Sequence, residues 1–258
     1  MRAFLSTPLH RAASAAKGKG SDGPVQGRRK CGTLGEIIHY FVRGETMLDE
    51  IAYSLGRNDE EPNINLAIKL CEKEDKNGIK DIVLGLKNKK QEIANDCMKV
   101  LYEIGERKPS LIEDYICDFI ELLNSKNNRL VWGAMTALSK IAPLKPNGIM
   151  QHIDKVIEAY KKGSVITIDN SISVFAELVK AKVDCSSEIF ELILKHLKSC
   201  RAKEVAQHSE RAFICINKDN ATKFKEVIEQ RIDSLSIPQQ KRLNKIIKKM
   251  ETGQFEDD

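Results

Sequence analysis

From Met47 onward, apolar residues return in sets of four at i, i+3, i+4 and i+7, the interval that lines one face of an α-helix. Ile79, Ile82, Val83 and Leu86 form one such set. It recurs after 37 residues as Ile116, Phe119, Ile120 and Leu123, after 37 more as Ile153, Val156, Ile157 and Tyr160, and after a further 37 as Phe190, Ile193, Leu194 and Leu197. A step back of 31 gives Leu48, Ile51, Ala52 and Leu55, and a step forward of 34 gives Phe224, Val227 and Ile228, with Arg231 breaking the fourth place. A second stripe follows each of these. Leu70, Leu101, Leu138, Phe175, Phe213 and Ile247 are separated by 31, 37, 37, 38 and 34 residues. Ile104, Ile141, Leu178, Ile216 and Met250 keep the same irregular spacing, with Lys73 the exception at the start, and the small residues Cys97, Ala134, Ser171 and Ser209 fall into line beside them.

Two columns sharing the same irregular steps predict a repeated unit of two helices. Within the units, "LKNKKQ" and "LNSKNN" separate first from second helix; "GERKPS" and "APLKPNG" separate one unit from the next, where Pro and Gly end a helix. Asn63 and Ser187 are expected at helix entries. Each unit has an apolar face too large to cover by itself, so stacking about six of them creates one continuous core. A unit such as "YICDFIELLNSKNNRLVWGAMTALSKIAPLKP" resembles the HEAT family of repeats, with armadillo-type arrays close to it in pattern. The likeness covers residues 47–250 and implies an all-α, α-α superhelix. The Asp and Arg that often mark HEAT units are not repeated here: Ala94, Val131 and Ile168 stand in the Arg column.

Composition changes this picture at the chain's beginning. Residues 1–34 carry seven basic side chains against Asp22, a local charge of +6, which leaves about −1 of the total +5 for the rest. Residues 1–46 are therefore expected to be a basic disordered leader or extension, with a targeting segment as an alternative and a short helical turn at 36–44. Residues 47–250 form the solenoid, and 251–258 an acidic tail. The body lacks the net positive charge of a phosphate binder. Seven cysteines scattered singly, with no C-x-x-C, read as reduced thiols of a cytoplasmic protein, and no apolar run reaches the length needed for membrane insertion.

In proteins resembling HEAT arrays the second helices line a concave surface that reads partners. The positions there that face away from the core stripe are Asn95, Trp132, Asp169 and Gln207, and a turn further on Lys99, Thr136, Ser173 and Arg211. The chain's single tryptophan thus shares its column with polar residues, which suits a contact anchor. Trp132, Asp169, Asn95, Gln207, Lys99 and Arg211 are the expected partner-binding residues. An acidic and an aromatic residue in one groove also resemble DNA-alkylation-repair proteins of HEAT-like fold. That alternative, a nucleic-acid-binding protein, requires a basic strip beside Trp132. A helper or lyase subunit acting with a partner chain is a further possibility implied by the resemblance.

Other chemistry is weakly marked. His152, His196 and His208 have no H-x-x-x-H partner, so no metal site is expected, and Cys185 beside Asp184 reads as a structural thiol. "GKGSDG" lacks the strand and helix of a phosphate loop. Lys241, Lys245, Lys248 and Lys249 fit the solvated face of a terminal helix. The expected function is a non-catalytic protein–protein interaction scaffold with no cofactor, whose protein partner the sequence does not identify.

Overall fold

The computed structural model describes residues 46–255, and the expected basic leader and the turn at 36–44 lie outside them apart from Thr46. Among the described residues there are twelve α-helices, four short 3-10 helices and no strand. The α-helices are α1 (Glu61–Lys73), α2 (Lys76–Gly85), α3 (Gln91–Arg107), α4 (Ile116–Leu122), α5 (Asn128–Ile141), α6 (Pro146–Met150), α7 (Ile153–Lys162), α8 (Val165–Lys180), α9 (Ser186–Ser199), α10 (Ala202–Ala212), α11 (Ala221–Ile232) and α12 (Ile237–Glu251). The second helices α1, α3, α5, α8, α10 and α12 pack side by side in chain order, and α2, α4, α7, α9 and α11 cover one flank of that row. The architecture is a helical-repeat solenoid.

Both apolar columns are interior. Leu101, Leu138 and Phe175 have no exposed surface, Leu70 and Phe213 keep at most 3%, and Ile247 keeps 9%. They belong to one continuous cluster running from Ile51 to Met250. Cys97, Ala134, Ser171 and Ser209 are fully buried, where their small size lets neighbouring second helices come close. Gly133 permits the closest approach: a Cβ there would lie 2.4 Å from Met98 Cγ on the preceding second helix. Buried thiols behave as apolar filler, and burial pushes Cys215 up to about 12 and Cys97 higher still.

The helix starts follow local chemistry. Asp75 accepts from the Gly78 amide (2.9 Å), Asn127 from that of Arg129 (3.0 Å), and Ser164 from that of Thr167 (3.5 Å), capping α2, α5 and α8. Ser236 and Gln239 form a capping box on α12, whose first turn contains Pro238. Acids of one unit pair with bases about one unit later, as in Glu106 with Lys140 (2.9 Å), Glu191 with Lys223 (3.0 Å) and Glu210 with Arg242. These exposed bridges contribute roughly 0–1 kcal/mol each, so the shared apolar rows dominate cohesion.

Three expectations are corrected. The stripe Leu48–Leu55 does not form a first helix: only Met47–Glu50 makes a 3-10 turn, and Leu55 is 54% exposed. Its amides are claimed elsewhere, that of Ala52 by Asn63 Oδ1 (2.9 Å) and that of Tyr53 by Asp96 Oδ2 (2.7 Å). The array is therefore five complete helical pairs preceded by α1 and this turn. Asn63 and Ser187 lie inside their helices, which begin after Glu60 and Cys185. The linkers "GERKPS" and "APLKPNG" hold short helices, Pro109–Leu111 and α6, started by Pro109 and Pro146. The unit around α7 thus has three helical pieces, as armadillo repeats do, and the unit around α4 has the same three with a further 3-10 turn, Glu113–Tyr115, leading into α4. At the far end, Phe255 folds back against the core.

Candidate functional site

The polar column of the second helices divides into two clusters. At the first, Trp132 on α5 is half-buried and stacks at a tilt on Tyr102 of α3, ring centroids 5.5 Å apart. The close α3–α5 approach at Gly133 brings the two rings together. Beneath them lies Lys99, 7% exposed, with its ammonium 4.9 Å above the Tyr102 ring and 2.9 Å from both Glu60 and Glu103. Burial works against that charge, but the two carboxylates outweigh it and raise the Lys99 pKa. Glu60 also takes Arg129 Nη2 at 2.9 Å, one turn before Trp132. Asn95 Oδ1 accepts from Asn127 Nδ2 (2.8 Å), and Asn95 lines a cleft of about 170 Å³. Tyr53, Asp59, Glu60, Asp96 and Arg129 also line that cleft. A larger cleft of about 290 Å³ lies between the α4–α5 turn and the end of α7, and contains none of the expected site residues.

The second cluster centres on Asp169 of α8. Its carboxylate accepts from Gln207 Nε2 (3.0 Å) and from His208 Nε2 (2.6 Å), both on α10. One turn further on, Arg211 Nη1 donates to Ser173 Oγ (2.7 Å). Between the clusters, Asn170 Nδ2 donates to Thr136 Oγ1 (2.9 Å), whose hydroxyl in turn donates to the Trp132 carbonyl (2.8 Å). The six expected contact residues therefore share one helix row but sit at different depths. Lys99 lies within an ion-pair network. Asp169, Gln207 and Arg211 are bonded between repeats, and Trp132 and Asn95 keep the most open chemistry.

Sequence reasoning missed what lies behind Asp169. His208 Nδ1 meets His196 Nε2 at 2.8 Å, and His196 Nδ1 meets the Tyr160 hydroxyl at 2.9 Å. His196 is 7% exposed and His208 fully buried. Burial, then the neighbouring His208 ring, pushes the His196 pKa down to about 4. Cys200, half-buried, completes a group with both rings. His196 and His208, which lack an H-x-x-x-H partner in the sequence, are nonetheless neighbours: α9 and α10 fold together and bring the two rings to a centroid distance of 4.8 Å at a tilt. The sequence signal was the spacing His196-x3-Cys200-x7-His208, one helical turn followed by a passage across an interhelix turn.

No family model and no curated protein sequence matches the chain. Solved structures share its fold. A designed armadillo repeat protein in complex with the peptide (KR)4 is 14% identical, with a TM-score of 0.57 over 78% of this chain and 97% of that one. An engineered protein is 16% identical, with a TM-score of 0.56 over 82% and 99% of the two chains. Computationally designed armadillo repeat proteins for modular peptide recognition give 13% identity and a TM-score of 0.53 over 78% and 97%. The fold is that of an armadillo/HEAT-like helical-repeat solenoid. No described helix is long and apolar enough to cross a membrane.

Proposed function

We propose that this protein is a non-catalytic interaction scaffold that binds a protein partner along the concave face formed by its second helices, in the reducing cytoplasm where its six described cysteines stay out of disulfides. Trp132 supplies the apolar anchor, Asn95 an amide beside it, and Asp169, Gln207 and Arg211 a rigid polar rim set by their bonds across repeats. The observation that carries this reading is the charge balance around Trp132. Lys99 and Arg129 both close on Glu60, so the cations a nucleic acid would need are neutralised there. An aromatic surface with balanced charge suits a polypeptide. The armadillo fold gives the reading further support, since structures similar in fold were designed to recognise peptides or hold one.

The test is selection from a displayed library of random peptides on the full chain, followed by titration of the winners. Binding should fall at least tenfold on Trp132→Ala and should depend weakly on salt. If no peptide is enriched, while single-stranded DNA binds with a steep salt slope that Trp132→Ala abolishes, the nucleic-acid alternative replaces this reading.

A further inference from the structure

The buried chain behind Asp169 has a single proton order when both of its rings are neutral. A carboxylate can only accept, so His208 Nε2 carries a hydrogen toward Asp169 Oδ1 (2.6 Å). With a neutral ring, His208 Nδ1 is then an acceptor, His196 Nε2–H donates to it (2.8 Å), and His196 Nδ1 accepts from the Tyr160 hydroxyl (2.9 Å). Every atom in this relay has a partner. Cys200 beside it does not fit so well. Its Sγ lies 3.8 Å from its hydrogen-bond acceptor, the Leu197 carbonyl, while one ligand atom from each of Cys200, His196 and His208 falls within 4.8 Å of the others. One sulfur and two imidazole nitrogens within that distance of one another are the donor set of a soft metal ion.

We propose that His196 Nε2, Cys200 Sγ and His208 Nδ1 bind a zinc-class divalent cation that staples α9 to α10. Three further observations favour it. The second His nitrogen already donates to a carboxylate, the outer-shell arrangement that orients a metal-bound imidazole. Tyr160 stands where it can accept from His196 once that ring binds through Nε2. Glu204, 12% exposed, adds negative charge that acts on both His196 and Cys200. Burial holds the Cys200 thiol above its ordinary range and the Arg231 guanidinium, bonded to the Leu197 and Cys200 carbonyls, offsets only part of that, so the cation itself must displace the Sγ proton.

The proton balance is specific. The metal takes the place of the His196–His208 hydrogen bond, and the Nε2 proton of His196 moves to Nδ1, so that Tyr160 turns from donor to acceptor. His208 keeps its tautomer. The Cys200 Sγ–H bond breaks, an Sγ–metal bond forms, and one proton per metal is released to solvent. The fourth position belongs to water or to the Glu204 carboxylate.

The experiment titrates the full, metal-stripped chain with Co²⁺ and then Zn²⁺. One Co²⁺ per chain should produce a thiolate charge-transfer band in the near ultraviolet with strong tetrahedral d–d bands. Zn²⁺ should displace it, with one proton released into a weak buffer. Cys200→Ser should lose the charge-transfer band. Asp169→Asn should keep the band but bind about 10–100-fold more weakly. His196→Gln provides a second ligand variant, and Cys200→Ser decides alone should that one fail to fold. Absence of the band in the unmodified chain overturns the proposal. So does a band that survives in Cys200→Ser, since one of the other thiols would then be holding the cobalt.

Discussion

Arg231 occupies the place where the repeated stripe calls for an apolar residue, so the sequence pattern alone favours replacing it with Met. The structure reverses that expectation. Arg231 Nη1 donates to the Leu197 carbonyl (2.6 Å) and Nη2 to that of Cys200 (2.9 Å), satisfying the end of α9 from the next unit along the chain. The last carbonyls of a helix have no internal partner, and a cation there also meets the negative end of the helix dipole. Hydrogen bonds from a charged donor contribute about 1.5–3 kcal/mol each, and the dipole adds roughly 0.3–1 kcal/mol. Because the side chain is only half-buried, water recovers part of this in the variant, leaving a loss of about 3 kcal/mol. Burying the Met thioether returns about 1 kcal/mol. Arg231→Met should therefore be about 2 kcal/mol less stable, with Arg231→Lys in between because it keeps the charge but not the planar fork that reaches both carbonyls. Urea unfolding in the presence of chelator measures this as a lower midpoint at an unchanged slope. A Met variant as stable as the unmodified chain would show that the stripe, and not the capping of α9, governs this position.

Phe175→Ala should cost about 3–5 kcal/mol in the same assay, because Phe175 is fully buried in the shared row and meets Tyr160 edge-on at 5.5 Å. Gly133→Ala gains about 1 kcal/mol of helix propensity but forces a Cβ into Met98, so a net loss of about 1 kcal/mol is expected, with a shift in Trp132 emission. In a Met98→Ala background, itself destabilised by about 2–5 kcal/mol, the added cost of Gly133→Ala should shrink because the clash is gone. Glu210, held below its ordinary 4.5 by Arg242, contributes stability that is present above that value and lost as pH falls through its lowered folded-state pKa. The unmodified chain should thus exceed Glu210→Gln slightly at neutral pH, by less than about 1 kcal/mol for so exposed a pair, and the two midpoints should converge in acid.

Fold and site were legible to different degrees, for a physical reason. Core packing repeats because each unit faces the same neighbour, so Leu101, Leu138 and Phe175 reveal their common row through spacing alone. The first stripe, Leu48–Leu55, carried the right apolar pattern but not the right hydrogen bonds: Asn63 and Asp96 take the amides a helix would need. Periodicity placed Trp132, Asn95, Asp169, Gln207, Lys99 and Arg211 on one helix row. It could not show that Lys99 is held under Tyr102 by Glu60 as well as by its i+4 neighbour Glu103, because the bond to Glu60 depends on side-chain reach between helices. The Tyr160–His196–His208–Asp169 chain was hidden for the same reason. Its members come from four helices, and none is aligned with another by the repeat.

The most direct test of the central claim, that the second helices form the contact face, is hydrogen exchange read by mass spectrometry on the full chain with and without a saturating selected peptide. Protection should appear on α3, α5, α8 and α10, strongest in the segment containing Trp132, and leave α4, α7 and α9 unchanged. Protection concentrated on α4, α7 and α9, with the Trp132 segment unaffected, would contradict the account.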